Sequence, residues 1–257
     1  YLAVIQNGIT FFKGVNIDFI IVHDWEPTSY PQFLQKLVQR FIYARKKSVL
    51  VATSTEISNV LKAFVSKEVS VIPTCSRKLP GYQFNKQTRF RLTHIGTSSW
   101  KNPIRSLDVW RKLDKMDLTL TFIGERNSSL DEAILKLPRS FRNRVEFFVG
   151  LDHDNYFRIL TESKFCSIPS NYQVGVLSPT CLDAFSCGTP VIAKGISSDL
   201  FQHNINGFGI DSIIELDSLS EQKWKILSEN AVSTISRFNY LDSAKKFKSI
   251  IEQRMHF

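Results

Sequence analysis

Long apolar runs are missing from this sequence. No stretch of about 18 consecutive apolar residues occurs, so no membrane-spanning helix is indicated. Cysteine is scarce: Cys75, Cys166, Cys181 and Cys187 make neither a CxxC pair nor a Cys/His spacing suited to a metal. A metal centre is therefore not expected, and reduced thiols of a cytosolic protein are expected in place of disulfides. Neither GxGxxG nor a Walker loop is present. Repeats, low-complexity tracts and a signal-peptide pattern are also missing.

What is present suits a packed α/β core. The chain has 257 residues, is 43% hydrophobic and carries 20 phenylalanines, enough for one large or two modest domains. Its net charge of +9 is uneven. Residues 1–91 hold 13 Lys and Arg against 5 Asp and Glu, whereas residues 92–257 hold 20 against 19. A basic first part fits an anionic partner such as lipid headgroups, a phosphorylated acceptor or nucleic acid, and equally a solvated basic face.

The opening Tyr1 to Gly14 is weakly patterned, with an Asn7-Gly8 turn. Asn16 to His23 is a near-continuous apolar run, as in a parallel strand covered on both faces. His23 stands at its C-terminal end, where open α/β sheets place ligands. An amphipathic helix with a basic face follows to about Lys47, then strands at 48–53 and 69–72 around a helix begun by Ser54 or Thr55. Cys75 to Arg91 is polar and turn-rich, as a linker would be. A second αβ series begins at Arg91. Strands are expected at 91–96, 118–124 and 144–149, and helices at 106–115, 152–162, 219–235 and 241–255. Trp224, Ile226, Leu227 and Ala231 should pack the third of these helices. The loop Gly96-Thr97-Ser98-Ser99-Trp100-Lys101 combines small residues with a lysine, a composition able to hold a diphosphate.

The stretch Phe165 to Lys194 reads as strand, loop, helix, strand. Ser178 followed by Pro179 is an N-cap with proline at the first helical position. Gly188 supplies a left-handed C-cap. A helix N-terminus presents unpaired N–H groups to an anion. Asp183, one turn inside, suits sugar hydroxyls. An anonymous αβ unit with a surface aspartate carries the same residues.

The segment PSNYQVGVLSPTCLDAFSCGTPVIA resembles the donor-site pattern of retaining group 1 glycosyltransferases (family 4) of the GT-B fold. The match lies at Pro169, Ser170, Asp183, Ala184, Gly188, Pro190, Val191 and Ile192, and extends more loosely from about Ile17 to the C-terminus. There are departures. Asp183 stands where the family has the glutamate that holds the ribose. Gly175 stands where it has the acid that contacts the donor sugar, with Asn171 and Gln173 the nearest polar side chains. Lys101 matches the lysine of V-G-R-x-x-x-K-G, but Thr97 replaces its arginine. His23 matches the last histidine of D-V-V-H-A-H.

The resemblance implies two Rossmann-like domains with parallel sheets flanked by helices, the first truncated. Residues 1–75 would be a partial acceptor-side domain, 76–91 the linker, 92–240 the nucleotide-sugar domain, and 241–257 a helix returning to the first domain. A fragment, or a partner subunit that supplies the missing half, is implied. The implied activity is transfer of a hexose from a nucleoside-diphosphate sugar to a glycan, lipid or protein acceptor, with retention and without cofactor or metal. His23 would face the sugar. Gly96, Thr97, Lys101, Asn171, Gln173, Gly175, Val176, Leu177 and Asp183 would bind the donor, with Gly175 to Leu177 offering backbone donors. A non-catalytic nucleotide-sugar-binding module or subunit is the alternative, and a basic nucleic-acid binder a third reading. The expected location is cytoplasmic, at a membrane surface if the basic first domain meets lipid.

Overall fold

The computed structural model describes residues 2–5, 9–13, 18–22, 33, 36, 40, 48–65, 68–76, 89–170, 175–212, 216 and 219–255. The chain forms two sheets. The first has five strands in the order β1-β2-β3-β4-β5: Leu2–Ile5, Ile9–Lys13, Asp18–Val22, Ser48–Ala52 and Val69–Val71. β3, β4 and β5 are parallel, while β1 and β2 form an antiparallel hairpin whose second strand pairs antiparallel with β3. Sequence reading missed that hairpin, because Tyr1 to Gly14 shows little alternation.

The parallel strands are mostly apolar because both faces are covered. On one face Ile20, Val22, Leu50 and Ala52 meet Ile57, Leu61 and Val65 of α1 (Thr55–Val65). On the other, Val49, Val51 and Ile72 meet Phe247 and Ile250 of the last helix, Tyr240–Met255. That helix also donates from Ser243 Oγ to the Pro73 carbonyl at 2.9 Å. In the expected amphipathic helix before β4, Phe33, Lys36 and Arg40 are helical and exposed; its other residues lie outside the described ones.

The second sheet is parallel throughout: β6 (Arg91–Ile95), β7 (Thr119–Ile123), β8 (Val145–Phe148), β9 (Ser163–Ile168), β10 (Val191–Ala193) and β11 (Gly207–Gly209). Their spatial order is β11-β10-β9-β6-β7-β8. Its helices are α2 (Pro103–Lys112), α3 (Ser128–Leu135), α4 (Arg139–Arg142), α5 (His153–Thr161), α6 (Pro179–Ser186) and α7 (Glu221–Ile235), before α8, the last helix. α2 starts earlier than the apolar pattern indicated. Asn102 caps it, accepting from the Arg105 N–H at 3.4 Å, and Pro103 takes the first position. α3 was not anticipated; Asn127 caps it by accepting from the Leu130 N–H. In α7, Trp224, Leu227 and Ala231 are buried, but Ile226 is 51% exposed and does not pack the core.

The N-terminal edge of this sheet is held by two arginines. Arg91 pairs with Glu146 and with Glu162 (3.1 Å). Arg89 donates to the carbonyls of Ser163, Cys187 and Gly188 and to Thr189 Oγ1, at 2.9–3.2 Å, with its guanidinium over Trp224. It thereby satisfies carbonyls at the end of α6, where the chain turns through Gly188 at φ +59°. No helix among the described residues is long and apolar enough to cross a membrane.

Candidate donor site

Two neighbouring strands of the second sheet send their connections in opposite directions. β6 leads through α2 toward β7, whereas β9 leads through α6 toward β10. Loops that diverge in this way leave a crevice at the carboxyl ends of the strands, where α/β folds bind ligands. One wall here is the loop after β6, which carries Lys101. The other is the segment after β9, which opens α6.

The floor is polar and buried. His94, near the end of β6, is 1% exposed. Its Nε2 donates to the Gly96 carbonyl at 2.7 Å, so its Nδ1 accepts from Ser106 Oγ of α2 at 2.9 Å. Ser106 Oγ lies 2.8 Å from Ser167 Oγ of β9. The three side chains tie β6, α2 and β9 together beneath the crevice. Burial first, with the nearby Lys101 ammonium adding to it, lowers the His94 pKa to about 4, so the ring is neutral. Nothing in the sequence singled out His94, because a histidine inside an apolar strand carries no spacing signal.

On the first wall, Thr97 Oγ1 donates to the Glu125 carbonyl at 2.5 Å, and Asn127 Nδ2 donates to the Thr97 carbonyl at 2.8 Å. The hydroxyl that replaces the family arginine thus braces the loop after β7. Lys101 closes a short 3-10 turn, Ser99–Lys101. Its methylenes lie over Gly96, and its Nζ is 4.8 Å from the centroid of the half-exposed Trp100 ring.

On the second wall, Ser178 caps α6, accepting from the Cys181 N–H at 3.4 Å, and Pro179 follows at the first position. Asp183 is fully buried, and the Tyr156 hydroxyl of α5 donates to its Oδ2 at 3.0 Å. Tyr156 is another residue the sequence did not point to. Lys101 follows β6 and Asp183 follows β9, two adjacent strands. Burial pushes the Cys166 thiol of β9 up to about 12; the Lys101 charge opposes that rise and the Asp183 charge adds to it. None of the four cysteines forms a disulfide.

The other expected residues divide. His23, Asn171 and Gln173 lie outside the described residues. Gly175, Val176 and Leu177 form the seam between the two sheets. The Gly175 carbonyl accepts from Ser54 Oγ at 2.9 Å. The Val176 side chain joins the core of the first sheet, and Leu177 joins that of the second. The Val176 N–H was expected to be a donor for ligand; it is already committed to the Gly195 carbonyl at 3.2 Å, because the segment makes a short parallel pairing with 195–197. Among the described residues no group of three His, Cys, Asp or Glu could hold a metal ion.

Comparison with known proteins agrees with this architecture. The family described as "Glycosyl transferases group 1" matches residues 83–246. No curated protein matches the chain by sequence. Similar solved structures include a glycosyltransferase from Rickettsia africae, with 17% identity and a TM-score of 0.65 over 88% of this chain and 68% of that one. The pneumococcal O-GlcNAc transferase GtfA, solved with UDP and GlcNAc, has 14% identity and a TM-score of 0.69 over 93% and 53%. Accessory secretory protein 1, 2 and 3 of Streptococcus pneumoniae gives 11% identity and a TM-score of 0.58 over 86% and 47%. At these identities the likeness is one of fold, the GT-B arrangement. The chain spans about half the length of the latter two.

Proposed function

Since the chain belongs to the group 1 glycosyltransferases, we propose that it moves a hexose from a nucleoside-diphosphate sugar to an acceptor, with retention of configuration. The observation that carries the reading is that Lys101 follows β6 and Asp183 lies in α6, which follows β9, on the two connections that diverge at the β6/β9 switch point. In this reading the Lys101 ammonium neutralises the diphosphate as it leaves, and the N-terminus of α6 adds its partial positive charge. Asp183 takes the ribose hydroxyls. Because Asp183 is fully buried, a ribose that bonds to it enters beside the Tyr156 hydroxyl. Catalysis is then positioning and electrostatic stabilisation of the leaving group, with no cofactor or metal. In this reading His23 faces the sugar, and Asn171 and Gln173 are the polar residues closest in sequence to Gly175, where the family has its acid.

The pneumococcal transferase was solved with UDP and GlcNAc, which supports a uridine nucleotide as the first donor to try. The exposed Phe33, Lys36 and Arg40 support a membrane-surface acceptor, and the structure solved of accessory secretory protein 1, 2 and 3 supports a partner subunit. A second reading, a non-catalytic nucleotide-sugar-binding module, is favoured by Thr97 and Gly175 standing where the family has charged groups. Calorimetry with UDP, GDP and their sugars, followed by a donor-hydrolysis and transfer assay, separates them. Binding with turnover supports the enzyme, binding without turnover the module, and no nucleotide binding ends both.

A further inference from the structure

The first turn of α1 faces the second sheet across the cleft, and the two surfaces bond to each other reciprocally. Glu56 Oε1 accepts from the Ser198 N–H and the Ser198 hydroxyl, both at 2.7 Å, and Glu56 Oε2 accepts from the Ser197 hydroxyl at 2.6 Å. In return, Asp199 Oδ2 accepts from the Thr55 N–H at 2.7 Å, filling the orphan donor at the start of α1. Ser54 Oγ caps α1 by accepting from the Ile57 N–H at 3.2 Å, and also donates to Gly175 O. Asp199 thus fills a donor at the start of α1, and Glu56 fills donors of the turn that begins at Ser197.

The contact reaches the crevice wall through backbone. Ser197 N–H donates to the Val176 carbonyl at 2.9 Å, and Val176 N–H donates to Gly195. Ser178 N–H in turn donates to the Val176 carbonyl at 3.1 Å. Packing follows the same route: a Cβ on Gly175 would lie 3.0 Å from Glu56 Cδ and 3.1 Å from Ser197 Cα. Burial raises the Glu56 pKa, but the hydrogen bonds from Ser197 and Ser198 outweigh it and hold the carboxyl below its ordinary value. Three charge-assisted bonds on one carboxylate distinguish this contact from an ordinary surface ion pair.

We propose that Glu56 is a positioning residue: from the first sheet it seats the segment Gly175–Ser178 that opens α6, so that docking of the two sheets and occupancy of the crevice are coupled. The coupling to occupancy rests on the nucleotide reading given above; the seating does not. The test combines hydrogen exchange with calorimetry, using UDP as the probe on the whole chain. In Glu56→Ala the Val176, Ser178 and Ser198 amides should exchange at least about tenfold faster, with β7 and β8 unchanged. UDP affinity should fall by about tenfold, the size of a typical site-to-site coupling. Glu56→Gln keeps one accepting oxygen and should fall between. Unchanged exchange at those amides overturns the proposal, as does a uniform rise across the second sheet, which would mark general destabilisation. Faster exchange with unchanged UDP affinity overturns the coupling. Faster exchange in a protein that binds no UDP in any form upholds the seating and overturns the nucleotide reading instead.

Discussion

Replacing Gly175 with alanine adds a single methyl group at the seam where α1 meets the second sheet. The backbone at Gly175 does not lie in the left-handed region, so alanine brings no conformational strain. The whole effect comes from space. The new Cβ would sit 3.0 Å from Glu56 Cδ, 3.2 Å from Glu56 Cγ and 3.1 Å from Ser197 Cα. Glu56 could swing aside, but only by giving up its three hydrogen bonds to Ser197 and Ser198. Ser197 Cα is backbone, held by the bond from Ser197 N–H to Val176 and by full burial of the residue. Neither neighbour yields freely, so the cost should match an overpacked core, about 2 kcal/mol. In urea that lowers the unfolding midpoint by roughly 1 M. Glu56→Ala removes one of the two obstacles. The double variant should therefore lose about 1 kcal/mol less than the two single losses summed. An unmoved midpoint in Gly175→Ala, or strict additivity in the double variant, refutes the reasoning.

The pH dependence of stability should carry the signature of His94. Its folded pKa is lowered from 6.5 to about 4, so the unfolded chain binds the proton more readily. The stability is present above pH 6.5 and drains away as pH falls, by about 3 kcal/mol at pH 4, measurable as urea midpoints across that window. Lys101→Met keeps the methylenes that lie over Gly96 but removes the charge. UDP affinity should drop by roughly 10- to 100-fold by calorimetry, with the melting temperature almost unchanged. Arg89→Lys keeps a cation but not the fork that serves three carbonyls and Thr189 Oγ1. It should cost about 2 kcal/mol in urea unfolding. Tyr156→Phe strips the hydroxyl from the buried Asp183 carboxylate and should destabilise by about 1.5–3 kcal/mol.

Much of the second sheet was legible from residues alone. Strands such as Leu118 to Gly124 and Phe165 to Ile168 are short segments rich in apolar and β-branched residues and bounded by turn residues, which suits a sheet covered on both faces. The start of α6 was legible because Ser178 and Pro179 meet local demands of a helix end. Boundaries set by less conspicuous caps, such as Asn102 and Asn127, were missed or misplaced. The hairpin at the edge of the first sheet was missed because its strands lack a decisive alternation.

By itself, the sequence determined the elements whose signals are local: apolar strands, capped helices, and the residue types at Lys101 and Asp183 that suit a nucleotide sugar. Tertiary structure alone decided which of those residues share a place. It put Lys101 and Asp183 on the diverging connections after two adjacent strands, buried a neutral His94 near the end of β6, and turned Gly175 to Leu177 into a seam against the first sheet. Glu56 is the sharpest instance. It reads as an ordinary first-turn acid on α1, yet its hydrogen-bond partners lie more than 140 residues away in sequence. Hydrogen bonding and electrostatics act through space, and strand order, which no local pattern encodes, sets who the neighbours are.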